Sequence, residues 1–420
     1  MTKAHLQEYV DSLEIVDTHE HLPPFENQRK QHTDVIAEFF SHYASVDIVT
    51  AGFDKQRFDQ VVSNLSIDVC QKWKELEPFW EKTRFTGYGR SLTLAARDIY
   101  GVENISRDTI EELNNKFLAI RKSGCQYSEV LKKKSKIQFS ILDTNGEYDK
   151  TFFKKAFRMD YYTRPHVSGG KFPVSPEKQM KIGTFTEYLE ECRQEISAQV
   201  KSGAVALKLA AAYNRPLNFA PCKIQEAEKI FYEYLSKGLL EDPSQKELQN
   251  RFEDFMVHYI LNEIKKYNLP VQVHTGLLEG NGNILSNSNP SLLNNLFLQY
   301  PEIDFILMHI GYPYFGELGA LAKMFSNVFI DMAWSHIISP NLARTALNEW
   351  LDLLPTNKIA AFGGDYLFAD GVYAHQKMAR KNVTCVLWQK IEEGILGMDD
   401  AKQIAKRLFI ENPLEMFHLK

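Results

Sequence analysis

The sequence predicts an α/β fold of the (β/α)8 TIM-barrel type, a single domain over residues 1–420 with a helical insertion over 22–134 after the first strand. Three observations predict it. Eight apolar runs, mostly of five to seven residues, alternate with stretches of helical periodicity, and buried parallel strands read as such uninterrupted runs. No Gly-rich phosphate loop opens a helix after the first run, so a doubly wound sheet gains no support. Polar residues fit for metal chemistry close several of the runs, at the end where a barrel of this type carries its site.

Composition bounds the chemistry. A chain of 420 residues is long for one domain, but barrels reach this length with insertions. The hydrophobic share of 44% and charged share of 25% are those of a globular protein, and a net charge of −5 with no basic run argues against nucleic acid as a partner. Residues 1–10 are polar and read as a short helix, without the apolar core of a secretion signal. No window approaches the ~18 uninterrupted apolar residues of a membrane span. The five cysteines, Cys70, Cys125, Cys192, Cys222 and Cys385, are scattered and odd in number. They read as reduced thiols of a cytoplasmic protein.

Strand one is expected over 13–19. The insertion that follows shows helical periodicity at Asp34–Tyr43, Leu65–Lys82 and Ser106–Arg121, the last opened by a Ser/Asp/Thr cap. Its aromatics, Phe79, Trp80, Phe85 and Tyr88, would form a small core of their own, with some covering the mouth of the site. The strand rhythm returns at Ile137–Leu142 and Ala156–Tyr162. A Gly/Pro/Ser-rich loop, Val167 to Pro176, is long enough to be a flap. A helix around Phe185–Ile196 leads to a strand at Ala204–Leu209. Helices over 223–236 and 245–267 lead to strands at Pro270–His274, Asp304–His309, Asn327–Met332 and Lys358–Asp365, with helices near 291–299, 316–325 and 340–353 between them. Two further helices, near 372–394 and 398–409, close the chain.

The strand ends are occupied selectively. Strand one carries His19 and His21, spaced so that both side chains leave one face of an extended chain, with Asp17 on the same parity. Lys208 lies within strand four, His274 ends strand five, His309 strand six and Asp365 strand eight. Each residue taken singly has an ordinary structural role: a satisfied core histidine, a helix cap, a lysine snorkelling to the rim. Together at one end of a barrel they are the ligand set of a metal centre. Imidazole and carboxylate suit zinc, manganese, iron or nickel, and the absence of cysteine speaks against a purely structural zinc site. A buried lysine is costly as a cation, and its neutral amine can add carbon dioxide to give an anionic carbamate with two oxygens.

This pattern resembles the amidohydrolase superfamily across nearly the whole chain, through Phe409–Phe417. Asp17-Thr18-His19-Glu20-His21-Leu22 and Leu207-Lys208-Leu209-Ala210-Ala211-Ala212-Tyr213 resemble its amidohydrolase-related branch, which also holds uronate isomerases and decarboxylases. The resemblance implies that His19, His21 and Asp365 bind one divalent metal and that His274 and His309 bind a second. Carboxylated Lys208 would bridge the two together with a hydroxide. The cofactor implied is two Zn2+, with a single metal at the same histidines, or manganese, iron or nickel, left open. Asp365 would act as general base and then acid, with Lys208 and His309 beside it. The partner is a small-molecule substrate, and self-association is implied by analogy alone.

Arg158 on strand three, Tyr213 and Arg215 after strand four, and Trp334 and His336 after strand seven are placed to face the mouth and hold substrate, as is Glu279 in the loop after strand five. The leading expectation is hydrolysis of a C–N or ester bond in a small, anionic metabolite. The alternatives are a uronate-type aldose–ketose isomerase or decarboxylase with one metal, which generally lacks the strand-four lysine, and a metal-binding barrel without turnover.

Overall fold

The structure is a computed structural model and describes residues 2–29, 32–165, 172–173, 179–237 and 245–419. Eight parallel strands pair in chain order: β1 (Ile15–Glu20), β2 (Ile137–Asp143), β3 (Phe153–Arg158), β4 (Ala204–Leu209), β5 (Val271–Val273), β6 (Phe305–Leu307), β7 (Val328–Asp331) and β8 (Ile359–Ala360). β8 returns to β1 through the backbone just beyond it: Thr18 N donates to Phe362 O (3.1 Å) and Asp365 N donates to His19 O (2.8 Å). These bonds close the barrel as expected.

Strand three is displaced from its expected place. It ends at Arg158, and Asp160–Thr163 turns into the short helix α8 (numbering the helices in chain order). Lys154 and Lys155 hid the strand's start, because a buried lysine does not read as apolar; Lys155 reaches Ser202 Oγ at 2.7 Å. The apolar Met159, Tyr161 and Tyr162 that seemed to continue the strand belong to that helical turn.

After α1 (Lys3–Ser12) and β1, the described residues of the insertion form helices and no strand: a 3-10 turn (Glu26–Gln28), α2 (Val35–Phe39), α3 (Tyr43–Thr50), α4 (Lys55–Ser63), α5 (Val69–Thr83), α6 (Gly87–Tyr100), α7 (Ile110–Ser123) and a π-helical turn, Tyr127–Lys134. Caps set several starts: Asp34 accepts from Ala37 N (2.7 Å), Asp54 from Arg57 N (2.8 Å), Asp68 from Cys70 N (2.9 Å) and Thr86 from Gly89 N (3.1 Å). Phe40, Trp73 and Trp80 form the insertion's own aromatic core, with centroids 5.6–6.2 Å apart. α6 was not among the expected helices, and Gly87 and Gly89 lie in its first turn. They are required by contact: a Cβ on Gly87 would collide with the Ile337 carbonyl.

The outer layer continues through α9 (Phe185–Lys201), α10 (Ile224–Lys237), α11 (Lys246–Ile264), α12 (Asn294–Gln299), α13 (Phe315–Met324), α14 (Ser335–Ile338), α15 (Pro340–Leu353), α16 (Ala369–Glu392), α17 (Met398–Lys406) and α18 (Asn412–Met416). Of the expected flap over 167–176, only Phe172–Pro173 lies within the described residues, paired antiparallel with Gln179–Met180. One apolar cluster joins Ile141, Ala156, Ala206, Ile306 and Ala360 of the strands to Met416 and Phe417 of the chain's end, so the last helix packs against one end of the barrel and leaves the other for chemistry. Asn412 Nδ2 anchors it by donating to Thr356 O (2.6 Å) and Ile359 O (2.7 Å). Among the described residues, no helix is long and apolar enough to cross a membrane.

Candidate metal centre

The ends of β1, β5, β6 and the turn after β8 bring five of the expected ligands into one chain of contacts. His19 Nε2 and His21 Nε2 are 3.3 Å apart. His21 Nε2 is 3.2 Å from Asp365 Oδ1, and His309 Nδ1 is 3.5 Å from Asp365 Oδ2. His309 Nε2 is 3.1 Å from His274 Nδ1. Asp365 therefore lies between two pairs of imidazoles.

The tautomers decide whether this donor set fits a cation. A neutral imidazole has one N–H. His274 uses its own at Nε2 on Leu277 O (2.9 Å), and His309 uses its own at Nδ1 on Ala333 O (3.0 Å). The facing nitrogens, His274 Nδ1 and His309 Nε2, are then both lone pairs. Two lone pairs 3.1 Å apart repel unless a cation lies between them, and anchoring the second nitrogen on a backbone carbonyl is how a metal-binding histidine is held. The His19–His21 separation matches that of two donors about 2.0–2.1 Å from one tetrahedral ion, roughly 3.3 Å apart. The residues present fit a divalent metal.

Burial keeps the imidazoles neutral. It pushes His19 and His274 well below the ordinary histidine range and His309 down to about 4. Burial works the other way on Asp365, but the hydrogen bond to His21 and the imidazoles packed around it outweigh burial and hold the carboxyl well below its usual range. Lys208 is buried, and its amine meets the Met308 thioether at 2.6 Å. Burial pushes it down to about 8, so near neutrality part of it is uncharged amine, the form that can become a carbamate.

His19, His21, Lys208, His274 and Asp365 line a cavity of about 120 Å3 together with His42, Tyr43, Arg158, Tyr213, Glu279 and Trp334. Arg158 and Tyr213 are thus placed at the cavity as expected. Arg215 and His336 are not. Arg215 is buried away from it, donating to Asp254 Oδ1 (2.7 Å), Asn250 O (2.6 Å) and Asn218 O (3.1 Å). His336 lies behind the wall, donating from Nε2 to Ala361 O (2.9 Å) and accepting at Nδ1 from Asn382 (3.2 Å). In both cases the polar group is consumed by the scaffold.

Three residues at the cavity or centre were not anticipated. Asp143 closes β2, lies 3.9 Å from both His19 Nε2 and His21 Nδ1, and forms a third possible donor with them. Arg158 Nε grips both its oxygens, at 2.8 and 2.9 Å. The Arg158 charge outweighs burial and holds Asp143 below the usual carboxylate range. Asp143 ends a strand just as Asp365 follows one, so the same rule would have found it. His42 and Tyr43 come from the insertion, where no strand rhythm marks them. The backbone is left-handed at His309 (φ 62), Trp334 (φ 64) and Asp365 (φ 57), a conformation unusual for residues with a Cβ and concentrated here at the site.

Comparisons with known proteins agree with the fold. The family model for amidohydrolases matches residues 171–419. The protein fluG of Emericella nidulans is 27% identical over 267 residues, 60% of this chain and 30% of the relative, so the chain spans under a third of that protein's length. A uronate isomerase from Thermotoga maritima superposes with a TM-score of 0.80 at 15% identity, covering 99% of this chain and 97% of that one. A Lactobacillus casei protein named as a candidate metal-dependent hydrolase does so with a TM-score of 0.69 at 16% identity, covering 98% and 97%.

Proposed function

The chain belongs to the amidohydrolase family, and from that premise we propose that it is a metal-dependent hydrolase cleaving a C–N or ester bond of a small, anionic metabolite. The observation that carries the metal is the pair of unprotonated nitrogens His274 Nδ1 and His309 Nε2 facing each other at 3.1 Å. His19, His21 and Asp365 would hold one ion and His274 and His309 a second, with carboxylated Lys208 between them. Bound metal supplies a Lewis acid that polarises the scissile carbonyl and makes water a nucleophile at neutral pH.

The chain's own residues do the rest. Asp365, ionised and held by His21, accepts the proton of the attacking water and passes it to the leaving group. A cavity of about 120 Å3 limits the substrate to a small molecule. Arg158, fixed by Asp143, puts a permanent positive charge on its wall and favours an anionic one. Trp334 and Tyr43 stack at 4.5 Å beside the site and keep water from its flank.

Lys208 favours hydrolysis over isomerisation, because a carbamate bridge serves two metals. The second reading, a single-metal uronate-type isomerase, is favoured by the likeness in fold to the Thermotoga maritima enzyme over 99% of this chain. The test is metal per chain by elemental analysis of protein purified without chelator, beside Lys208→Ala. Two metals falling to one or none in the variant, with turnover in a panel of amides, lactones and esters, support the hydrolase. One metal unchanged in the variant, with turnover of uronates, moves the assignment to the isomerase. No metal in either overturns both.

A further inference from the structure

Asp365 is anchored by a strand more than 340 residues away in sequence. Gly364 N donates to Asp17 Oδ1 (2.9 Å), Asp365 N to His19 O (2.8 Å) and Tyr366 N to Glu20 Oε2 (2.9 Å). Three consecutive backbone N–H groups are thus taken by three residues of β1. Glu20 does more than accept one bond. Its carboxyl lies over Gly364, where any Cβ would collide with Glu20 Oε1. That oxygen is buried without a hydrogen-bond partner. Asp17 is fixed in turn by Ser140 Oγ (2.7 Å).

We propose that Glu20, with Asp17, is a positioning residue for the metal centre: a carboxyl clamp that holds the left-handed turn Gly364-Asp365-Tyr366 so that the Asp365 carboxylate faces His21. The inference rests on the metal reading above. Aspartate tolerates the left-handed region better than most residues, so the φ of 57 needs no strain; what fixes the turn is that the N–H groups on both sides of Asp365 end on side-chain carboxyls of the segment that carries His19 and His21. One strand thus supplies two ligands directly and sets the place of the third. Outer partners of this kind typically tune metal affinity about 10–100-fold.

The test is Co2+ binding by the metal-free full-length chain, read by titration and by the visible absorption of the bound ion, in wild type, Glu20→Ala and Glu20→Gln. Glu20→Ala is expected to bind Co2+ about 10–100-fold more weakly with shifted bands. Glu20→Gln keeps an acceptor for Tyr366 N and is expected to stay near wild type in both. If Glu20→Ala does not fold, Glu20→Asp replaces it; shortened by one methylene, its carboxyl falls short of Tyr366 N and should show the same loss. A variant that melts at lower temperature yet binds Co2+ with wild-type affinity and bands makes the clamp merely structural and overturns the proposal. Wild type that binds no Co2+ overturns the metal reading instead.

Discussion

His21 Nε2 and Asp365 Oδ1 meet at 3.2 Å across the seam where the last strand returns to the first. The Asp365 backbone cannot be moved without opening the barrel's closure, since Asp365 N is bonded to His19 O. The pair therefore joins the fold's last step to its chemistry. Asp365→Asn keeps the shape and removes the charge. The variant is expected to stay folded, because its backbone anchors are untouched, and to lose metal affinity by more than the ~100-fold that loss of an outer partner costs. Circular dichroism and metal analysis on the same sample check both halves. Full metal content in Asp365→Asn would remove Asp365 from the ligand set.

Lys208 offers a direct chemical prediction. Its amine is buried beside a thioether, a weak acceptor, and burial pushes it down to about 8 despite the Asp143 and Asp365 carboxylates, so a fraction is uncharged near neutrality. Protein loaded with metal in carbon-13 bicarbonate should show a carbamate resonance that is missing from Lys208→Met. A spectrum without that resonance in wild type would leave Lys208 as a plain amine and strengthen the single-metal reading.

The residues that gather at the candidate centre were legible because metal chemistry draws on few residue types and a barrel places its polar residues by rule at strand ends. His19, His21, His274, His309 and Asp365 all obey that rule. The substrate residues were less legible, since a cation facing a cavity and a cation inside an ion pair look alike in sequence. Both arginines end in ion pairs, Arg158 with Asp143 at the cavity wall and Arg215 with Asp254 away from it, and only three-dimensional packing separates them. His42 and Tyr43 escaped because their approach to the site is set by how the insertion folds back, which no local periodicity encodes. Strand three was misplaced for the converse reason: tertiary contacts bury Lys155 where local pattern reads it as exposed.

Asp331, behind the candidate centre, gives the fold a pH signature. It is fully buried, accepting from Thr18 Oγ1 and Ala333 N at 2.8 Å each, and burial pushes its carboxyl up to about 7. The folded state thus keeps a proton that the unfolded chain gives up near pH 4. Its contribution is complete below that value and is lost as pH rises to about 7, with a slope of at most ~1.4 kcal/mol per pH unit. Asp331→Asn retains an acceptor and cannot ionise. Urea denaturation from pH 5 to 8 should show wild type losing stability relative to Asp331→Asn as pH rises. Parallel curves would mean that Asp331 is ionised in the fold.

The insertion reaches the centre through an aromatic stack and through the Tyr43 hydroxyl, which donates to Asp365 O at 2.6 Å. Tyr43 and Tyr88 lie at 4.5 and 6.4 Å from Trp334, whose ring meets the His309 imidazole edge-on at 5.4 Å. Trp334 is buried against His309, whereas Trp73 and Trp80 sit in the insertion's own core and Trp350 packs behind Gly319. Metal binding to His309 should therefore change the emission of Trp334 before that of the others. Wild type titrated with Zn2+ is expected to show a fluorescence change that Trp334→Phe lacks while it still binds the ion by equilibrium dialysis. Gly87→Ala pushes α6 away from the Ile337 carbonyl, three residues beyond Trp334, at a cost of about 1–3 kcal/mol. It should weaken the same signal by displacing Tyr88. An unaltered signal in Gly87→Ala, with the melting temperature lowered, would limit the insertion to bracing the barrel and take it out of the site's wall.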